Sequence, residues 1–184
     1  TTSFGQTIHW DKHYNYSLHT PDRQDELTVN LFNDKEAKYS FLMMKPNYLG
    51  NFLLHNKQML MVNVEPFTNK LVTNTEYLSY YSQDLESISS TFSQEMIFEK
   101  MDTPTNKINN FSCENYMAVI PEDETSNSMF ASSYIFACID TKSKDKNLKT
   151  VFSNSNIDGL LVTFGINSDE NVLQLNEINT VQTQ

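Results

Sequence analysis

The residues best equipped for chemistry crowd one stretch, TIHWDKHYNYSLHT (7–20), which holds His9, Asp11, His13 and His19 beside a tryptophan and two tyrosines. Imidazoles and carboxylates bind zinc or activate water, so one reading is a metal-dependent or hydrolytic enzyme built on this cluster. The spacing argues otherwise. Trp10, Tyr14, Tyr16 and Leu18 fall on even positions, and His9, Asp11, His13, Asn15, Ser17 and His19 on odd ones. That is the period of two of a β-strand. On a strand His9 and His13 stand about 13 Å apart, whereas a shared metal needs both ring nitrogens at about 2.0 Å. The expectation is a row of polar side chains along one strand face, with no catalytic residue and no metal ligand.

Other chemistry-bearing residues are few. There is no GxSxG, and the fourth histidine, His55, has no nucleophile at a recognisable spacing. Cys113 and Cys138 are the two cysteines, without a zinc pattern around them. If 115–120 and 133–140 pair as a hairpin centred near Asn127, Cys113 falls opposite Asp140 and Cys138 opposite Asn115. A two-residue slip would then bring the sulfurs within reach of a disulfide; the alternative is two buried free thiols. The acidic runs PEDE (121–124) and NSDE (167–170) lack the alternating oxygen ligands and the glycine of a calcium loop, and read as solvated turns. The sequons at Asn15 and Asn110 carry meaning only in a glycosylating secretory pathway.

Composition narrows the partners. The 184 residues carry 23 Asp and Glu against 13 Lys and Arg, a formal net charge of −10. Nucleic-acid binding needs a basic footprint, and the densest one, KSKDKNLK, is interrupted by Asp145. No nucleic-acid partner is expected. No window approaches the roughly 18 apolar residues of a membrane helix, so a soluble domain is expected. The chain opens on Thr1-Thr2 without a methionine, which fits either a trimmed chain or a processed form that has lost an export signal; a membrane link is expected only through an upstream lipid anchor.

The elements that must position these residues follow from pattern. LTVNLF (27–32), YSFLMM (39–44), QMLMVNVEPF (58–67), FSQEMIFEKM (92–101), CENYMAVI (113–120), MFASSYIFACID (129–140) and DGLLVTFGI (158–166) read as strands, the later ones forming an antiparallel meander. KPNYLGNFLLHNK (45–57) reads as a loop with a helical turn, because Leu49, Phe52 and Leu53 fall at helical spacing. Thr73 and Glu76 form a capping box ahead of Leu78, Tyr81, Leu85 and Ile88, which predicts a helix over 74–90. Val172, Leu175 and Ile178 recur at threes after Ser168, which predicts a closing helix or tail over 168–184.

This order of elements, YNYSLHTP, ELTVNLF, YSFLMM, a helix NTEYLSYYSQDLESI, strands closing on GLLVTF and a final helix, resembles the PsbP-like superfamily, which includes PsbP, DcrB-type lipoproteins and DcrB-like chaperones of secreted effectors. The resemblance covers nearly the whole chain but rests on no diagnostic motif, and residues 45–70 and the segment TTSFGQTIHW depart from it. It implies an α+β fold, a central antiparallel sheet flanked by helices in an α/β/α sandwich, used to bind proteins, without a cofactor. The expectation is one domain over 1–184, with 45–70 as an insertion, that acts as an exported or envelope-associated (lipoprotein-like, periplasmic) protein-binding module. A cytoplasmic chaperone or immunity-type protein for a basic secreted effector is the alternative. Binding is expected on the long connections, at Tyr48, Phe52 and His55 and at Glu122, Asp123 and Glu124.

Overall fold

The computed structural model describes residues 8–19, 27–45, 51–55, 58–64, 71–73, 95–120, 132–170 and 172–181. The first half is a meander of antiparallel strands: β1 (Trp10–His19), β2 (Thr28–Asp34), β3 (Tyr39–Lys45), β4 (Asn51–His55), β5 (Gln58–Val64) and β6 (Leu71–Thr73). The second contains β7 (Glu95–Met96), β8 (Glu99–Lys100), β9 (Asn106–Ile108), β10 (Phe111–Val119), β11 (Tyr134–Asp140), the single turn α1 (Leu148–Val151), β12 (Asn154–Ser155), β13 (Leu160–Ile166) and β14 (Val172–Thr180). β14 pairs with β1, so the two halves join in one twelve-stranded sheet of order β6-β5-β4-β3-β2-β1-β14-β13-β11-β10-β8, with β9 against β10. β7 and β12 form a separate parallel pair.

This architecture corrects the expected α/β/α sandwich. The described residues are dominated by antiparallel strands, and α1 spans only four residues, so no helical layer flanks the sheet among them. The helix expected over 74–90 lies outside the described residues. Residues 51–55, expected within a loop, are β4, and 51–55 with 58–64 continue the meander. The ambiguity is physical: Phe52 pairs with Leu42 and Leu53 with Phe41, so both faces of β4 are apolar and no alternation shows.

The closing helix is also overturned. Residues 172–180 form a strand, and the pairing of β1 with β14 shifts between Asn15 and Tyr16: Asn15 faces Glu177 while Tyr16 faces Leu175. Asn176 is the extra residue of a β-bulge. Because the bulge resets the alternation, Leu173, Leu175 and Ile178 all reach the same core cluster, and a step of three that reads as helical is a strand with one residue inserted. Ser168 opens no helix; its hydroxyl accepts a bond from the Glu170 N–H in a turn.

A second bulge breaks the alternation of β1. Between Trp10 and Lys12 the pairing with β2 skips Asp11. Trp10 thereby joins the face of Phe32 and Phe41, with ring centroids 6.4 and 6.1 Å away, while Tyr14 and Tyr16 stay on the face of Leu31 and Val29.

Two apolar clusters hold the sheet. One gathers Met96, Phe98, Ile120, Ile135, Ile139, Leu148, Phe152 and Leu161, with the α1 turn laid over β10, β11 and β13. The other joins Tyr14, Tyr16, Val29, Leu31, Val162 and Leu175 to the two cysteines. The connection between β11 and β13 docks on β1, in the middle of the sheet, through Asn147, which is 1% exposed. Its amide donates to the Tyr16 hydroxyl at 2.6 Å and its carbonyl accepts the Leu161 N–H at 2.9 Å. The Tyr16 hydroxyl in turn donates to the Leu161 carbonyl at 2.7 Å. An ion pair from Lys12 to Asp145 at 3.1 Å closes the same contact at the surface.

Candidate functional site

The strand register aligns a polar row across five strands: Asn115 of β10 faces Cys138 of β11, which faces Thr163 of β13, then Gln174 of β14, then Ser17 of β1. Beside it runs an apolar row in which Met117, Phe136 and Gly165 are neighbours, with Val172 opposite His19 at the β1 end. From these rows Asn115, Cys138, Thr163, Gln174, Phe136 and Val172 line an open groove of about 660 Å³, within the range of ligand-binding clefts. One wall is the segment from Met101 to Ile108 that precedes the β9–β10 turn; the other carries Asp169, Glu170 and His19.

The first wall is tied down. The Asn106 amide donates to Asn115 Oδ1 at 2.8 Å, and the Asn115 amide donates to Thr103 Oγ1 at 3.0 Å. At the tip of the hairpin Asn109 adopts a φ of 53°, a left-handed conformation that asparagine tolerates. Its amide reaches across to the Leu175 carbonyl at 2.7 Å, pinning the hairpin to β14. Beneath, Cys113 and Cys138 are joined in a disulfide with Cα atoms 5.3 Å apart. Cys138 faces Asn115 and Glu114 faces Ile139, so the bond runs diagonally between strands, and no register slip is needed to form it.

The middle of the floor differs. Thr163 is 8% exposed, yet among the described residues neither its hydroxyl nor the Gln174 amide has a hydrogen-bond partner. Neither is among the buried side-chain atoms left without a partner; both open onto the groove, where a ligand can bond them. Among the described residues the lining contains two carboxylates and no lysine or arginine.

The histidines do not converge. His13 lies flat on Phe32, with centroids 4.5 Å apart, and its Nε2 donates to Asn30 Oδ1 at 2.8 Å. The Asn30 oxygen also accepts from the Asn15 amide, and Asn15 accepts from Asn176, so the odd face of β1 is a chain of structural hydrogen bonds. His9 is exposed, and His19 belongs to the groove. Among the described residues no group of three or more His, Cys, Asp and Glu is placed to hold a metal ion. Of the sequons, Asn15 is committed to this chain of bonds, whereas Asn110 lies exposed in the β9–β10 turn.

Of the expected binding residues, Tyr48, Glu122, Asp123 and Glu124 lie outside the described residues. Phe52 is buried, and His55 stacks on Tyr39 at 4.1 Å with Nδ1 3.1 Å from the Lys38 carbonyl. Neither of these two lines the groove. The structure puts Asp169 and Glu170, read from sequence as a solvated turn, on the groove rim instead. The groove escapes a reading of the sequence because Thr163, Gln174, Phe136 and His19 come from four strands, and only their register joins them. Compared with known proteins, the chain matches no family model and no curated sequence.

Proposed function

We propose that this chain is a non-enzymatic, protein-binding domain of an extracytoplasmic compartment, the cell envelope or periplasm, and that the groove between the β9–β10 hairpin and the β13–β14 turn is where its partner docks. The observation that supports this reading is the contrast within the groove: one wall fixed by the Asn106–Asn115–Thr103 bonds and the cystine, and a floor whose Thr163 and Gln174 open onto the groove. A receptor surface needs that combination, since a rigid site avoids ordering costs and unpaired groups gain from a ligand. The cystine supports the compartment, because disulfides persist where the surroundings are oxidising. The cytoplasmic chaperone or immunity-type alternative shares the acidic surface suited to a basic partner, and it would place both cysteines in a reducing environment.

The test is site-specific photo-crosslinking in the native host. A photoreactive residue at Gln174, on the groove floor, is expected to capture a discrete protein partner, while one at Asn154, exposed on β12 and absent from the groove lining, captures none. Equal capture at both sites, or none at Gln174, contradicts the assignment of the groove.

A further inference from the structure

Resting on the groove as the docking site, we infer that its occupant is a basic stretch of polypeptide, with a lysine or arginine side chain laid along the apolar row and its cationic head held between the Asp169 and Glu170 carboxylates and the free oxygens of Thr163 and Gln174. Three features converge on that chemistry. Among the described residues the lining has carboxylates on its rim beside His19, and no lysine or arginine to neutralise them or to hold an anion. The unpartnered floor groups include two acceptors, the Thr163 hydroxyl and the Gln174 carbonyl, one of them on a side chain more than nine-tenths buried. Phe136 and Val172 supply an apolar bed beside them, which suits the methylene stem of a long basic side chain.

Competing ligand classes fit less well. An anion would meet two carboxylates in a molecule of net charge −10. A wholly apolar ligand would cover Thr163 and Gln174 while leaving them unpaired. The volume of about 660 Å³ holds more than one side chain, so an extended segment carrying several residues fills it better than an isolated amine. The net negative charge would also speed the approach of a basic partner, an effect that weakens with salt.

The test uses the oxidised protein and two synthetic pentapeptides, acetyl-Gly-Lys-Val-Lys-Gly-amide and its counterpart with norleucine in place of lysine, followed by backbone amide NMR. The lysine peptide is expected to shift the signals of Phe136, Thr163, Val172 and Gln174 and to bind at least about fivefold tighter than the norleucine peptide. The double substitution D169N/E170Q, at exposed positions where folding is not at stake, should abolish that preference. Equal binding of the two peptides, an unchanged preference in D169N/E170Q, or shifts confined to residues outside the groove would overturn the inference. So would spermidine binding in the groove when the lysine peptide does not. The two levels separate cleanly: a Gln174 crosslink that persists undiminished in D169N/E170Q rejects the basic occupant and keeps the groove, whereas loss of the crosslink in the unsubstituted protein rejects the groove itself.

Discussion

Asn147 shows how much of this fold depends on single buried polar groups. Its side chain satisfies the Leu161 N–H and the Tyr16 hydroxyl at once, so Asn147→Ala should strip two partners from buried groups and cost about 3 kcal/mol, measured as a fall in the urea midpoint at unchanged slope. The two tyrosines beneath it make a pH prediction. Burial pushes the Tyr14 phenol up to about 12 from an ordinary 10.0, with Asp145 and Asp11 adding to the shift. Burial raises Tyr16 further still, against the opposing hydrogen bond from Asn147. A pKa raised on folding means that the native state holds its proton where the unfolded chain releases it. The stabilisation is therefore complete below pH 10 and is lost as pH rises through the folded values. Tyr16, fully buried, should contribute a decline of about 1.4 kcal/mol per pH unit above pH 10, and Tyr14, less deeply placed, a smaller one. Urea unfolding at pH 9 to 11.5 checks this, and Tyr16→Phe should make the decline shallower. None of this was legible in the sequence beyond the parity that placed Tyr14 and Tyr16 on one face of β1, because Asn147 is distant in the chain and sits in the lysine-rich run KSKDKNLK.

The elements were legible where alternation was regular and illegible where a bulge interrupted it. Residues 28–34, with buried Val29, Leu31 and Asn33 alternating with half-buried neighbours, announce themselves as a strand, as do β3, β10, β11 and β13, and the pairing of 115 with 138 follows from hairpin arithmetic alone. The tail was misread because the bulge at Asn176 gives Leu175 and Ile178 a helical interval. That account is testable. Leu175, fully buried, should cost about 3 kcal/mol or more when changed to Asp, while Asn176→Ala, on the exposed bulge, should cost under about 1 kcal/mol. Thermal unfolding of both variants decides it, and comparable losses would contradict the strand. The turn into β13 offers another check. A Cβ on Gly159 would lie 2.8 Å from the Asp140 carbonyl and 2.9 Å from Ile139 Cγ2, and the Gly159 carbonyl accepts from both Asn147 and Leu148. Gly159→Ala should therefore destabilise by about 2 kcal/mol, read as a lower Tm, and should loosen the α1 connection in hydrogen exchange.

At the scale of the molecule, the sheet is one continuous surface only because β1 and β14 pair, and the groove lies on its second half with the cystine in the floor. The α/β/α layering implied by the PsbP-like resemblance came from two helices, one of which is β14 while the other falls outside the described residues. The groove was out of reach for a different reason: it is a product of register between strands, and no local pattern encodes it. The cystine connects fold to function. It closes a loop of sequence separation 25, for which chain entropy gives about 3 to 4 kcal/mol of stabilisation, so C113A/C138A should lose roughly that much in denaturant unfolding and weaken the groove beside it. The same bond underlies the extracytoplasmic assignment. The measurement that bears on both most directly is intact mass of the natively expressed protein after alkylation, with and without prior reduction. Both cysteines blocked until reduced is the predicted result; two thiols alkylated without reductant would contradict the cystine and with it the compartment.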